Sequence, residues 1–143
     1  MSTMHVPDVL AEIRDGFLET PEADRLLLLL EFADELPEVS EEVANHPEMC
    51  ERVAECQSPV YVYVEVHDDI VTMHATAPAE APTTRGFASI LVQGITGLSP
   101  DEVLAIPDDY PQSIGLTKAV SPLRIGGMTG MLMRAKKQVT QKR

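Results

Sequence analysis

The sequence VYVYVEVHDDIVTMHATA, residues 60–77, contains the clearest secondary-structure pattern in the chain. Over residues 60–66, valine occupies every even position, and the odd positions between them hold Tyr61, Tyr63 and Glu65. Because successive side chains of a β-strand point to opposite faces, this alternation predicts a strand with one apolar face. Asp68 and Asp69 then predict a tight turn, and residues 70–75 predict the returning strand of an antiparallel hairpin.

Segments with helical spacing of apolar residues lie on both sides of the hairpin. In the second of them, Thr20 is a candidate N-cap, Pro21 suits the first turn, and Pro37 ends the helix. Ser99 and Glu102 have the spacing of a capping box in a later segment. The inward stripe predicted for the second helix consists of Leu26, Leu29, Leu30, Ala33 and Leu36. Helices are predicted over residues 6–20, 20–38, 83–98, 99–107 and 121–140.

Two segments between these elements have weaker patterns. Residues 38–49 are acidic and turn-rich, which predicts a surface loop, and a short stretch ending at Cys56 is a candidate third strand. The helices are segregated from the strands along the chain. This segregation predicts an α+β fold, with a small antiparallel β-sheet and helices packed on one side. The length suits one ordinary domain, so we expect residues 1–143 to form a single domain.

Composition narrows the possible functions. The chain has 143 residues, of which 44% are hydrophobic, and a net charge of −12 at pH 7. This acidic balance argues against a nucleic-acid partner, because binding phosphates requires a basic surface. No apolar run approaches the roughly 20 residues of a membrane-spanning helix, and the N-terminus lacks a signal-peptide pattern. Two cysteines make no disulfide framework, so we expect a cytoplasmic protein with free thiols and no membrane partner.

Cys56 precedes the first strand, in the stretch RVAECQSPV, and is the main candidate for chemistry. A junction between loop and strand can present a side chain to solvent, which would suit a reactive thiol. An ordinary thiol is only about 3% ionised at pH 7, and the neighbouring Glu55 hinders ionisation further. Arg52, Arg85 and Arg124 are possible counter-charges. From spacing alone, a reactive thiol and a buried structural cysteine both remain open.

Other candidate groups carry weaker signals. Cys50 lies six residues before Cys56, but a single pair of cysteines at this spacing is a poor zinc motif. His67 and His74 are interpreted as solvated or hydrogen-bonded residues rather than as metal ligands. Three glycines within residues 126–130 lower the helix propensity of the last segment. They predict either close packing of backbone against a neighbouring element or room for a ligand.

Several short motifs occur in a consistent order along the chain. The most specific are ECQS at residues 55–58 and SPLRIGG at residues 121–127. Further segments are ELPE at 35–38, AEAPTTRG at 79–86, LSPDEVL at 98–104 and IGL at 114–116. Together they resemble the SufE family of cysteine-desulfuration proteins, which are sulfur acceptors. Two residues depart from the family pattern: Glu55 stands where glycine is frequent, and Glu80 stands where many members have aspartate.

The resemblance implies that Cys56 is the acceptor thiol, carried on a loop at the edge of the sheet. It implies that Arg124 lies near this loop, with Glu80 and Arg85 in the region opposite, and Gln57 supports the site beside the cysteine. The implied partners are a pyridoxal-phosphate-dependent cysteine desulfurase, which supplies the sulfur, and an iron–sulfur assembly scaffold, which receives it. The protein itself is expected to use no cofactor or metal and to activate the desulfurase as a persulfide carrier. The implied fold is an α+β sandwich shared with iron–sulfur scaffold proteins.

Other functions remain open beside this one. The shared fold suggests an iron–sulfur scaffold, although such a scaffold needs about three cysteines plus another ligand. A regulatory adaptor would dock on the desulfurase without accepting sulfur, and a two-cysteine redox protein would depend on Cys50 as much as on Cys56. For a sulfur acceptor, we expect the apolar edge of the sheet to shelter the sulfur at rest. The loop would then swing out on docking, which is a shift between two populations.

Overall fold

The predicted hairpin forms the centre of a three-stranded antiparallel sheet. We describe residues 5–143 in a computed structural model of the chain. Strand β1 is Glu51–Arg52, β2 is Tyr61–His67 and β3 is Ile70–Thr76, and the strand order is β1-β2-β3. Asp68 and Asp69 both have positive φ, at 52° and 64°, which matches the twist of a two-residue hairpin turn. The hairpin and its turn are therefore confirmed.

The two faces of the sheet differ in burial as the alternation predicts. The odd-numbered residues of β2 and the even-numbered residues of β3 are partly exposed. The opposite, apolar face is buried and consists of Val60, Val62, Val64, Val71, Met73 and Ala75. The predicted third strand is shorter than expected: β1 ends at Arg52, and Cys56 lies in the loop that follows it.

Helices cover the buried face of the sheet. The two long ones that contact it are α4, which packs on β3, and α7, which packs on β2. The last helix buries Met128, Met131, Leu132, Ala135 and Val139, and Ser99 and Glu102 make the predicted capping box. The fold is therefore α+β, as the sequence indicates. Within residues 5–143 the helices are α1 (Asp8–Glu19), α2 (Arg25–Asp34), α3 (Glu41–Ala44), α4 (Pro82–Ile95), α5 (Pro100–Leu104), α6 (Tyr110–Ser113) and α7 (Pro122–Lys142).

The second helix begins later than predicted. Thr20 ends α1 instead of starting α2, because its hydroxyl donates a hydrogen bond to the Gly16 carbonyl at 2.7 Å. A 3-10 turn, Glu22–Asp24, then precedes α2. The prediction that Leu26 points inward is wrong, since Leu26 is 38% exposed. The close contact between α2 and α4 is made one turn later, where Leu29 packs on Gly86. The first turn of α2, which contains Leu26, is not part of this contact.

The acidic segment over residues 38–49 contains helical turns as well as loop. It contains α3 and a 3-10 turn, Pro47–Met49. The hydroxyl of Ser40 accepts a hydrogen bond from the Val43 N–H, which satisfies one free donor at the start of α3. This helical turn buries Val43, so the prediction of an unstructured surface loop is wrong here. Among the described residues, no helix is long and apolar enough to cross a membrane.

Candidate functional site

Cys56 lies in the loop of residues 53–60, which connects β1 to β2 and is called the Cys56 loop below. The loop is tied at its base by the Val53 N–H, which donates to the Val60 carbonyl at 2.9 Å. The Cys56 N–H donates to the Val53 carbonyl at 3.1 Å, which turns the side chain inward. Cys56 is only 8% exposed and belongs to the hydrophobic core. The spacing alone leaves an exposed and a buried Cys56 open, and the structure shows it buried.

Glycines of α7 allow the Cys56 loop to lie directly on that helix. A Cβ atom at Gly127 would stand 2.8 Å from the Cys56 Sγ, and one at Gly130 would stand 2.8 Å from the Glu55 carboxyl carbon. Real Cβ atoms almost never approach so closely, so a larger residue at either position would force the Cys56 or the Glu55 side chain to move. Gly126, by contrast, has open space where its Cβ would be. The packing interpretation of these glycines is confirmed at Gly127 and Gly130.

Arg134 holds the Cys56 loop against α7. Its guanidinium pairs with both carboxylate oxygens of Glu55, at 2.8 and 2.9 Å. It also donates to the carbonyl of Arg52 at 3.0 Å and to that of Gly130 at 3.2 Å. The charged partner of this loop is therefore Arg134, which is not among the counter-charges considered from the sequence, Arg52, Arg85 and Arg124. Its spacing from Glu55 carries no signal, because the pair joins two distant parts of the chain.

The thiol is a weak acid in this arrangement. Burial raises the pKa of Cys56, and the negative charge of Glu55 raises it further, while Arg134 acts in the opposite direction. The hydrogen bonds from Arg134 lower the pKa of Glu55, so this carboxylate stays charged at neutral pH. Since the thiolate is the nucleophile, burial and the charge of Glu55 both lower the reactivity of Cys56 in this arrangement.

A pocket of about 160 Å³ opens beside Cys56 and is called the Cys56 pocket. The structure brings three of the predicted supporting residues into its lining, namely Gln57, Glu80 and Arg124. Arg124 lies in the first turn of α7, which Ser121 caps by accepting a hydrogen bond from the Arg124 N–H. The full lining consists of Glu55, Cys56, Gln57, Ser58, Glu80, Ala81, Pro82, Thr83, Thr84, Leu123, Arg124 and Gly127.

Arg85 is the predicted supporting residue that does not line this pocket. Its guanidinium donates to the Ala77 carbonyl at 2.7 Å and lines a separate groove with Leu36, Pro37 and Glu38. Arg85 lies one helical turn after the first residues of α4, so it is carried away from the cysteine while Thr83 and Thr84 face the pocket. We therefore assign Arg85 a structural role, in its hydrogen bond to the Ala77 carbonyl, and no contact with the Cys56 pocket.

The other candidate groups lie apart from Cys56. Cys50 lines an apolar groove with Val43 and Tyr61, and both cysteines are free. His74 bonds to Glu65 at 2.7 Å and His67 is largely exposed, as predicted. Within residues 5–143, no group of three or more histidine, cysteine or acidic residues is placed to hold a metal ion.

Comparison with known proteins identifies the family. The family model for SufE, described as an Fe-S metabolism associated domain, matches residues 11–139. The chain belongs to the SufE family. This family is linked to iron–sulfur metabolism, which agrees with the motifs around Cys56 and Arg124.

Individual SufE-like relatives span nearly the whole chain. An uncharacterized SufE-like protein of Mycobacterium tuberculosis is 44% identical over 137 residues, which cover 95% of this chain and 94% of the relative. One from Synechocystis is 28% identical and covers 89% of this chain and 77% of the relative. The solution structure of a hypothetical protein from Thermus thermophilus matches with a TM-score of 0.85 and 34% identity, over 96% of this chain and 97% of that one. The last match confirms the fold.

Breaking the Glu55–Arg134 pair of this SufE-family protein is expected to expose the Cys56 thiol. An ion pair at the surface contributes up to about 1 kcal/mol, so alkylation of Cys56 should become about two- to fivefold faster in Glu55→Gln. The thiol pKa should fall in Glu55→Gln, which removes a negative charge, and rise in Arg134→Ala, which removes a positive one. The measurement is the rate of reaction with iodoacetamide against pH, in a Cys50→Ser background.

Arg143→Ala is the matched control, because Arg143 forms an ion pair with Asp101 and makes no contact with the Cys56 loop. Its reactivity should equal that of the parent.

The pH at which the Glu55–Arg134 pair breaks follows from the lowered pKa of Glu55. The pair contributes stability above the ordinary pKa of a glutamate and loses it as the pH falls through the lowered value. Equal thiol pKa values in Glu55→Gln and Arg134→Ala would contradict this account.

Proposed function

We propose that Cys56 accepts sulfur from the persulfide of a cysteine desulfurase and passes it on to iron–sulfur cluster assembly. The observation that carries this proposal is the position of Cys56 in the Cys56 pocket beside Arg124, Glu80 and Gln57, in a chain of the SufE family. The same pocket has no second cysteine in its lining. A single thiol at an accessible pocket suits a carrier of one sulfur atom better than a disulfide-forming redox site.

The proposed transfer is a thiol exchange. The Cys56 thiolate attacks the outer sulfur of the donor persulfide, and a new bond forms between that sulfur and Sγ. The sulfur–sulfur bond of the donor breaks, and its own cysteine leaves as a thiolate. One thiolate is consumed and one is released, so the step needs no external oxidant or reductant.

The closed Cys56 loop supports a protected resting state in this proposal. Burial and the raised thiol pKa keep Cys56 protonated until a partner docks. The burial of Cys56 in the hydrophobic core supports the expected apolar shelter, and the pocket beside it is lined in addition by Glu55, Glu80 and Arg124. Docking would have to compete with the Glu55–Arg134 pair, with the contact of Sγ with Gly127 and with the burial of Cys56 in the core. A few kcal/mol of preference for the open loop are enough to shift such an equilibrium.

An exposed surface next to the pocket is suited to the donor. Leu123 is 58% exposed and, with Arg124, begins α7 at the rim of the Cys56 pocket. Within the described residues, the Arg124 guanidinium makes no ion pair. A docking partner would therefore find an apolar side chain and a free positive charge beside the thiol.

Mass spectrometry of the intact protein tests the proposal. The purified chain is incubated with a pyridoxal-phosphate-loaded cysteine desulfurase and free cysteine, and peptides are then mapped. We expect the mass of added sulfur on the peptide that contains Cys56. Stimulation of the desulfurase without any added sulfur would favour the regulatory adaptor instead, and a bound cluster in the purified protein would favour an iron–sulfur scaffold.

A further inference from the structure

The first turn of α4 forms part of the wall of the Cys56 pocket. This helix has 14 residues, and its N-cap residue, Ala81, supplies no side-chain hydrogen bond to the backbone N–H groups that follow. The first N–H groups of a helix have no partner within it, and they form the positive end of the helix dipole. In α4 these are the N–H groups of Thr83 and Thr84, because Pro82 has none and the Arg85 N–H already bonds to the Ala81 carbonyl. Ala81, Pro82, Thr83 and Thr84 all line the pocket. The pocket therefore has an uncapped, electropositive wall.

The hydroxyl of Thr83 is a second, independent feature of this wall. Thr83 is only 8% exposed, and its hydroxyl takes part in no hydrogen bond with residues 5–143. In the described part of the chain, no fully enclosed side-chain polar atom lacks a partner, so the Thr83 hydroxyl keeps a small opening. The Cys56 pocket is the cavity that Thr83 lines. The hydroxyl is therefore a largely buried donor that faces only a small opening, and it is available to an acceptor that enters the pocket.

The charges that face the pocket come from three elements. Glu55, on the Cys56 loop, is neutralised by Arg134 of α7. Glu80 precedes α4, and Arg124 belongs to the first turn of α7; both are exposed, and neither forms an ion pair with the described residues. Water screens these two opposite charges at the mouth of the pocket. In the buried part of the wall, the remaining polar groups are the Thr83 hydroxyl and the free N–H groups at the start of α4.

We propose that this wall binds the outer sulfur of the Cys56 persulfide as an anion, through the Thr83 hydroxyl and the first N–H groups of α4. The inference rests on the proposed function. A persulfide extends the side chain by one sulfur–sulfur bond of about 2.05 Å, and Sγ is closed off by Gly127 on the side of α7. The added atom therefore enters the pocket. A persulfide is a stronger acid than a thiol, so the pocket recognises the loaded protein and not the empty one.

The experiment compares Thr83→Val with Thr83→Ser in a Cys50→Ser background. Valine keeps the shape of threonine without its hydroxyl, and serine keeps the hydroxyl. Cys56 is first converted to a mixed disulfide with thionitrobenzoate. Hydrosulfide then attacks Sγ, thionitrobenzoate leaves as a thiolate, and the persulfide remains on Cys56. The pKa of the persulfide is measured from the rate of alkylation against pH, with products assigned by mass spectrometry.

We expect the persulfide pKa to rise by about one unit in Thr83→Val, because the anion loses a hydrogen bond to a buried donor. Thr83→Ser should restore the parental value, and the pKa of the unloaded thiol should change much less. Thr72→Val, on the partly exposed face of β3, is the control for loss of a threonine hydroxyl elsewhere. An equal persulfide pKa in Thr83→Val and Thr72→Val would overturn the proposal. Circular dichroism of each variant confirms that it is folded.

Chemical loading separates this test from that of the proposed function. If a desulfurase never loads Cys56 but the persulfide pKa shifts in Thr83→Val, the proposed function fails and the anion-binding wall stands. If the desulfurase loads Cys56 and the persulfide pKa does not shift, the wall has no such role and the sulfur-acceptor function stands.

Discussion

Cys56→Ser is expected to lose all acceptance of sulfur while the protein keeps its fold. Serine occupies nearly the same space as cysteine, and position 56 is a loop residue whose backbone hydrogen bond to Val53 does not depend on the side chain. An ordinary hydroxyl is not ionised at neutral pH and does not attack sulfane sulfur. The measurement is the transfer of radiolabelled sulfur from free cysteine through a desulfurase to the protein. We expect no label above background.

Cys50→Ser is the matched control for this loss. Cys50 is a free, partly exposed thiol in a separate groove, and its pKa is raised chiefly by burial. It should accept no sulfur, and its replacement should leave labelling of Cys56 nearly unchanged. A comparable loss of activity in both variants would favour a two-cysteine redox protein over a sulfur acceptor. Labelling of Cys56→Ser at the parental level would place the acceptor elsewhere and refute the proposed function.

Gly127→Ala is expected to drive the Cys56 sulfur out of its resting position. The new Cβ would lie 2.8 Å from Sγ, and Sγ is the end of a side chain on a loop, so the cysteine yields before the helix does. Such overpacking costs about 1–3 kcal/mol, of which the closed loop carries the larger part. We expect alkylation of Cys56 to become about tenfold faster, which corresponds to about 1.4 kcal/mol. The reaction with iodoacetamide at constant pH measures this.

Gly126→Ala is the control variant, because it makes the same substitution one residue away where no atom lies within 4 Å of the new Cβ. Both variants gain about 1 kcal/mol of helix propensity over glycine. Gly126→Ala should therefore raise the free energy of unfolding in urea by about that amount and leave Cys56 reactivity unchanged. The difference between the two variants isolates the contact with the sulfur. Equal reactivity in both would mean that Sγ does not rest against α7.

Most of the fold could be predicted because its signals are local. The alternation of valines over β2 and the acidic turn at Asp68 and Asp69 are visible within a few residues. The predicted boundaries of helices and loops are wrong where a side chain makes a local hydrogen bond that the sequence pattern does not reveal. Thr20 bonds back to Gly16 and ends α1, and the Ser40 cap starts α3 inside a segment that is otherwise typical of a loop.

The candidate site was predicted less completely. The resemblance implies that Arg124 lies near the Cys56 loop and Glu80 in the region opposite, and the structure brings Gln57, Glu80 and Arg124 to one pocket beside Cys56. Arg85, from the same stretch as Glu80, lies elsewhere because the helix turns it away.

Sequence alone determined the order of the elements and the apolar face of the sheet, since both follow from periodicity, and its short motifs carry the family resemblance that singles out Cys56. Only the tertiary structure decided that Cys56 is buried, that Arg134 and not Arg124 pairs with Glu55, and that Thr83 lines the pocket beside the sulfur. These features depend on contacts between the Cys56 loop, α4 and α7. Their physical cause is packing between segments far apart in the chain, which leaves no periodic trace in the order of residues.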